Sequence, residues 1–527
     1  MLLDESPAGS TPIAPAAHPR VTLRPSVADR ADRFTGRTWV LDQVLDWLEH
    51  RGERFLLLTG EPGAGKTVLA AWLAGAGPAP GDAGKTQRLE TVRRAWRAAH
   101  FCVARGQRGT VEPSRFASSL AQQLADRIPA FAQTAVEHIS PEYKIDQMIG
   151  TNWGQVIGIQ TQKLIIAGRQ PEDVYDLAVC GPLQSLDESE LPIFIMVDSL
   201  DEALTYAGRV TIVDLLAGSG DLPEGARFLL TCRNNERRVL DAFDDVLRLN
   251  ISDPKYAAEN TADIYDYALR RLREESIQPM IPSGKKPEDI ATSIVGQADG
   301  DFLYVAFLLD EVAAGRRSLE QLQDLPEGLF GLYRIYMERL IPETRQLQSS
   351  SVWPQRYEPI LGSLSVAVPL APQKILPSWL GWSSGETSQR LDDISQVVEP
   401  LTVPERGYRI YHRSMAEFLA VERYKERGGE RANLFYAEPR RQHDRIVRYY
   451  MQWIRDEWGN DWSKPTWKPK DSQGQVEHPY PLRQLVGHMQ ARLVLAAAAN
   501  PPAPQAEQQQ MADELYALVL NSTFRAA

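Results

Sequence analysis

The octapeptide Gly60-Glu61-Pro62-Gly63-Ala64-Gly65-Lys66-Thr67 constrains the fold of this chain more than any other feature. It follows the short apolar run Arg54 to Thr59 and opens a helical stretch from Lys66 through Val68 to Ala74. Glycines in such a loop let backbone N–H groups turn inward around phosphate oxygens without side-chain obstruction. Lys66 can then reach β- and γ-phosphates, and the Thr67 hydroxyl can ligate Mg²⁺. The helix beginning beside Lys66 adds N–H donors and the positive end of its dipole. The pattern predicts a buried parallel strand, a phosphate loop and a helix, with ATP or ADP and Mg²⁺ as ligands.

Further apolar runs have the length of central strands. Leu191 to Val197 ends in Asp198, Ala226 to Thr231 ends in Cys232-Arg233, and Val246 to Leu249 follows. Helical segments such as Thr211 to Leu216 separate them, giving the βαβ alternation of a layered α/β domain. Asp198 stands where a Mg²⁺-organising acid belongs, and Asp201 or Glu202 could polarise a water near the γ-phosphate, Glu202 being the preferred one. Three acids after a strand can equally form a solvated loop or a helix cap. Arg233 at a strand end could sense the γ-phosphate and stabilise charge developing during transfer, or lie in a surface turn.

At 527 residues the chain is long enough for about three or four domains. Residues 1–30, rich in Pro, Ala and Ser, read as a flexible leader or linker. The α/β nucleotide domain is assigned to 31–252. A helical domain follows over 253–345, with helices expected at Asn260 to Glu275, Pro287 to Gln297, Phe302 to Ala314 and Leu329 to Leu340. Residues 346–428 read as a winged-helix-like module with a short strand at Tyr408 to Tyr411, and 429–527 as a C-terminal helical region. Between Arg54 and Asp198 the expected helices are Thr86 to His100 and Ser114 to Ile128, with His100, Phe101 and Cys102 at a probable strand.

The formal charge of −11 argues against general nucleic-acid binding, which selects for basic surfaces. Lys464, Lys468 and Lys470 beside Trp462 and Trp467 could make a stacking patch, but so small a cluster reads as a structural loop. Cys102, Cys180 and Cys232 are too dispersed for a disulfide framework or zinc site and fit a reducing compartment. With no apolar signal or spanning segment in the sequence, the cytoplasm is the expected location.

Taken together, several motifs resemble the NACHT branch of the signal-transducing ATPases with numerous domains (STAND), a group that includes nucleotide-binding immune receptors. They are Phe34-Thr35-Gly36-Arg37, the phosphate loop, Ala99 to Cys102, Asp198-Ser199-Leu200-Asp201-Glu202 and Leu230-Thr231-Cys232-Arg233. Gly300-Asp301-Phe302-Leu303-Tyr304, Leu325-Pro326-Glu327-Gly328-Leu329 with Tyr333, and Tyr411-His412-Arg413-Ser414-Met415 through Leu419 continue the series. The resemblance implies an AAA+-like P-loop NTPase core followed by helical and winged-helix domains, closed over ADP at rest. It implies that ATP opens the module for self-association and for signalling to an effector or sensor protein, as in innate immunity or antiviral defence. His412 would contact the β-phosphate of ADP, Thr35, Gly36 and Arg37 would sit near adenine and ribose, and Gly300 would lie near the adenine. Read alone, a single His beside apolar residues is more often a hydrogen-bonded core or surface group.

Two other functions compete with a slow Mg²⁺-dependent ATPase switch. One is a nucleotide-bound interaction scaffold that scarcely hydrolyses ATP. The other is a nucleic-acid-dependent ATPase.

Overall fold

The computed structural model describes residues 25–50, 52–103, 110–139, 152–206, 208–320, 325–341, 352–368, 370–402, 406–426, 429–458, 479–499 and 501–520. The Trp462, Lys464, Trp467, Lys468 and Lys470 cluster and the first 24 residues of the expected leader lie outside them.

Five strands make one parallel sheet: β1 Phe55–Gly60, β2 Trp96–Phe101, β3 Ile193–Asp198, β4 Ala226–Arg233 and β5 Leu247–Asn250. Their order is β2-β3-β4-β1-β5, so β4 is inserted between the strand feeding the phosphate loop and the strand ending in Asp198. Every neighbouring pair is parallel, and Gly60 stands opposite Arg233. The carboxyl ends of β1, β3 and β4 therefore share one edge, where ligands of open α/β sheets bind.

Alternation along the strands divides the core. Leu57, Ile195, Val197, Phe228 and Leu230 pack on one face with Phe116, Leu120 and Leu216. Leu56, Leu58, Phe194, Met196 and Leu229 pack on the other with Val40, Leu41, Leu69 and Trp72. Each such leucine, fully buried, contributes on the order of 1.5–3 kcal/mol, which explains near-continuous apolar runs in place of alternation.

The connections depart from the sequence expectation. The segment expected as one helix, Thr86 to His100, divides into the helix Ala83–Ala95 and β2, because Trp96 and Ala98 are buried against β3. Between β2 and β3 stand not one helix but several, among them Pro113–Ala125, Pro129–Ile139, Trp153–Ile166 and Pro171–Tyr175. The expected leader also ends early: Pro25–Asp32 is a helix whose Ala31 is fully buried.

Beyond the sheet, Ala257–Leu272, Pro287–Ala298 and Phe302–Ala313 enclose their own core around Ile264, Ile290, Ile294 and Leu308. Gly328–Leu340 leads into a part with a three-stranded antiparallel sheet in place of the one strand expected. Its strands are β6 Ala371–Pro372, β7 Val398–Leu401 and β8 Gly407–Ile410, in the order β6-β8-β7. The hairpin β9 Arg423–Glu426 and β10 Gly429–Ala432 follows. Strands of two to four residues carry too little periodicity to be read from sequence.

One core runs from Tyr333, Leu361 and Trp379 through Phe418 to Ile446, Tyr450 and Met489. It crosses the expected boundary at 428, so the long helix Pro439–Trp458 packs as part of this body. Among the described residues, no helix is long and apolar enough to cross a membrane.

Candidate nucleotide site

A cavity of about 240 Å³ opens at the carboxyl edge of the sheet. Its walls come from three parts of the chain: Val27 to Arg233, which includes the sheet region, Tyr267 to Ala306, and Arg409 to Arg413.

Pro62 to Val68 line its floor. Gly63 and Gly65 have φ of 85° and 86°, a region costly to residues with a Cβ, and this bends the loop around an open centre. Lys66 Nζ donates to the carbonyls of Gly60 (2.8 Å) and Glu61 (2.9 Å), and neither of these two residues, both expected at the nucleotide, lines the cavity. Burial lowers the Lys66 pKa, while Asp201 and Asp198 oppose that shift.

Asp198 is fully buried at the end of β3. Its carboxylate accepts from Thr231 Oγ1 (2.6 Å) and Ser199 Oγ (2.8 Å), and the Thr67 and Ser199 hydroxyls lie 3.2 Å apart. Ser199 takes φ 60°, an uncommon conformation for a non-glycine residue, which returns its hydroxyl to Asp198. Burial pushes the Asp198 carboxyl up to about 6, against hydrogen bonds from Thr231, Ser199 and Thr67. A dry carboxylate beside a threonine hydroxyl, both facing the cavity, is an oxygen donor set suited to Mg²⁺.

Asp201, Glu202 and Arg233 also line this end. Asp201 is 6% exposed, and its Oδ2 lies 3.1 Å from Arg233 Nε and 3.2 Å from Arg413 Nη1. Arg233 pairs in addition with Glu417. His412 caps the helix Arg413–Ala420: its Nδ1 accepts from Ser414 N (3.2 Å) and lies 2.7 Å from Ser414 Oγ, itself 2.7 Å from Tyr333 OH.

An apolar part of the lining is formed by Val27, Phe34, Tyr267, Phe302 and Ala306. Thr35 and Arg37 line the cavity as well. The Arg37 guanidinium is buried over the Phe302 ring at 4.9 Å, donates to Ala64 O (3.0 Å) and bonds Asn260. Burial pushes its pKa down to about 10, against the pull of Asp263. Gly36 serves a different purpose, since a Cβ there would collide with Asp263. Gly300 does not line the cavity; Phe302, Leu303 and Ala306 do.

The structure thus gathers Thr35, Arg37, Pro62 to Val68, Asp198, Asp201, Glu202, Arg233 and His412 around one cavity. Sequence reasoning gave no roles to Ser199, Thr231, Asp301, Arg413 and Glu417. All five lay inside quoted motifs, close to the residues that drew attention. Cys102 also reaches the cavity, but burial and the nearby Asp198 hold its thiol well above the usual range, which disfavours the nucleophilic thiolate.

The sheet order and loop define an α/β P-loop NTPase fold. Residues 36–233 match the family described as Nephrocystin 3, N-terminal, which supports the NACHT/STAND-type resemblance over that segment. No curated protein matches the chain. Among solved structures it is similar to a Walker-type ATPase of Pyrococcus abyssi, at 14% identity and TM-score 0.33, over 74% of this chain and 98% of that one. It is also similar to a STAND protein with a tetratricopeptide repeat sensor from Pyrococcus horikoshii, at 13% identity and TM-score 0.37. That match covers 98% of this chain and 56% of that one. Superpositions this loose carry nothing about function.

Proposed function

We propose that the chain is an ATP/ADP-dependent signalling switch of the NACHT/STAND type, closed over ADP at rest, able to self-associate with ATP bound, and reset by slow hydrolysis. The observation behind this reading is that residues 27–233, 267–306 and 409–413 all contribute walls to one cavity. A ligand held there touches every part of the chain that would have to separate, so it can bias their arrangement. In this reading the parts are a nucleotide-binding unit over 31–252, a helical unit over 253–345 and a winged-helix unit over 346–428, with Ile446, Tyr450 and Met489 of the C-terminal region in the core of the last.

The apolar part of the lining takes the base and the loop N–H groups cradle the phosphates. Lys66 exchanges the Gly60 and Glu61 carbonyls for phosphate oxygens. Thr67 and Asp198 hold Mg²⁺, which neutralises charge on the phosphates when bound. Glu202 orients the attacking water, and Arg233 stabilises negative charge developing in line with it. His412 faces the same cavity and carries a cap to the helix behind it. An intracellular site of action fits three buried, unbridged cysteines.

One observation favours the scaffold alternative: Arg233 and Asp201 are already engaged in ion pairs. Nucleotide analysis and mass determination of the purified chain, before and after ATP with Mg²⁺, separate the two. The switch requires bound ADP, exchange, a rise in mass, and phosphate release abolished by Lys66→Ala. Confirmed exchange without turnover or assembly would leave the scaffold.

A further inference from the structure

Four charged side chains close a ring at the phosphate end of the cavity. Arg233 Nε meets Asp201 Oδ2 at 3.1 Å, and Arg413 Nη1 meets the same oxygen at 3.2 Å. Arg413 Nε lies 3.3 Å from Glu417 Oε1, and Glu417 closes the ring onto Arg233. Asp201 and Arg233 follow β3 and end β4. Arg413 and Glu417 are one turn apart on the helix Arg413–Ala420, so their side chains project together. Asp201 and Arg233 are 6% and 17% exposed, which limits screening by salt and water.

We propose that Arg413 and Glu417 are positioning residues that hold Arg233 and Asp201 in this ring, and that the ring must open before Arg233 can turn to the γ-phosphate of a nucleoside triphosphate. The inference rests on the nucleotide reading above and adds the source of discrimination. A γ-phosphate is an anion competing with Asp201 and Glu417 for Arg233, whereas a nucleoside diphosphate brings no such competitor and leaves the ring shut. The two ligands therefore stabilise different pairings of the same arginine, which is the differential affinity that any switch needs.

The two helix residues carry opposite predictions. Glu417→Gln removes one anion from Arg233, so it should raise the ratio of ATP-analogue to ADP affinity about tenfold, or ~1.4 kcal/mol. Arg413→Gln removes the competitor for Asp201 and leaves Arg233 held by both acids, so the ratio should fall severalfold. Glu417→Asp keeps the charge and should return the ratio towards wild type. The measurement is calorimetric titration of the full chain with ADP and with a non-hydrolysable ATP analogue, both with Mg²⁺. Loss of helix packing alone would move both Gln variants in one direction, and that outcome, or an unchanged ratio in both, overturns the ring. If the wild-type chain binds neither nucleotide, the nucleotide reading falls and the ring falls with it. If binding is intact and only the ratios fail to diverge, the ring alone is wrong.

Discussion

The Asp301 carboxylate closes over Gly63: its two oxygens fill the space that a Cβ on that glycine would need. Asp301 is the N-cap of the helix Phe302–Ala313, accepting from Leu303 N at 2.7 Å, so the phosphate loop and the helical part of the chain meet at this point. Gly63 is fixed by two demands, a φ of 85° and a carboxylate against its Cα, whereas Gly65 has φ 86° and open space.

Gly63→Ala is therefore expected to cost more than Gly65→Ala. The backbone term is about 1–2 kcal/mol in either variant, and the collision with Asp301 adds to it only at Gly63. Thermal unfolding of the nucleotide-free chain should show the larger drop for Gly63→Ala, and Asp301→Ala should recover part of it in the double variant. Equal drops, with no recovery, would remove Asp301 from the account.

Asp301 also makes the stability of the nucleotide-free chain depend on pH. Burial raises its carboxyl to about 7, although the Leu303 and Tyr304 amides and Lys66 oppose the shift. The unfolded chain gives up this proton near pH 4, while the folded chain retains it to about 7. The stability from Asp301 is thus fully present below pH 4 and is lost as pH rises through 7. Between pH 5 and 8 the melting temperature should fall less steeply in Asp301→Asn, which cannot titrate and can still cap the helix. Parallel curves would sink this assignment.

His412 caps a helix and lines the cavity, and substitution separates the two. Its Nδ1 caps the helix Arg413–Ala420, and its ring faces the cavity. His412→Ala should lose the cap, about 1 kcal/mol, and also release ADP faster. His412→Asn should restore the cap and most of the thermal stability while ADP release stays fast. Dissociation of a fluorescent ADP measures the second effect. Unaltered release in both variants would show that the imidazole is a capping group alone.

The sheet and the loop were legible because their signals are local. Phe55 to Thr67 writes strand, turn and helix into thirteen consecutive residues, and Leu191 to Asp198 places an acid at a strand end by the same logic. The cavity wall from Arg409 to Arg413 was less legible. His412 was assigned through a resemblance, yet nothing in the spacing of Arg413 and Glu417 points to partners some 200 positions upstream. Such pairs depend on how separate bodies dock, and charge on a helix face ordinarily indicates solvent. Trp96 shows the other failure: the helical pattern from Thr86 runs on in sequence, but pairing with β3 captures Trp96 to Phe101 as an edge strand.

The C-terminal helices carry an acid-sensitive joint. His443 and His488 face each other across Pro439–Trp458 and Pro479–Ala498, with their Nδ1 atoms 2.7 Å apart, and His488 Nε2 is 2.7 Å from Tyr480 OH. A bond between two imidazole nitrogens needs one donor and one acceptor, so the pair cannot be doubly protonated and keep it. Burial depresses His443 to about 4 and His488 well below its usual value, with His443 lowering it further. Nearby Asp444 is taken up by Arg448 (2.6 Å) and Arg492 (3.2 Å). Because both folded values lie below the unfolded one near 6.5, the stabilisation is fully present above about pH 6.5 and is lost as pH falls towards 4. Acidification from pH 7 to 5 should cost about 2 kcal/mol through His443, with His488 acting in the same direction, read as faster amide exchange along 439–458 and 479–498. In the double variant His443→Gln/His488→Gln the exchange of these helices should no longer accelerate over that range. An undiminished acid response there would assign the loosening to other groups.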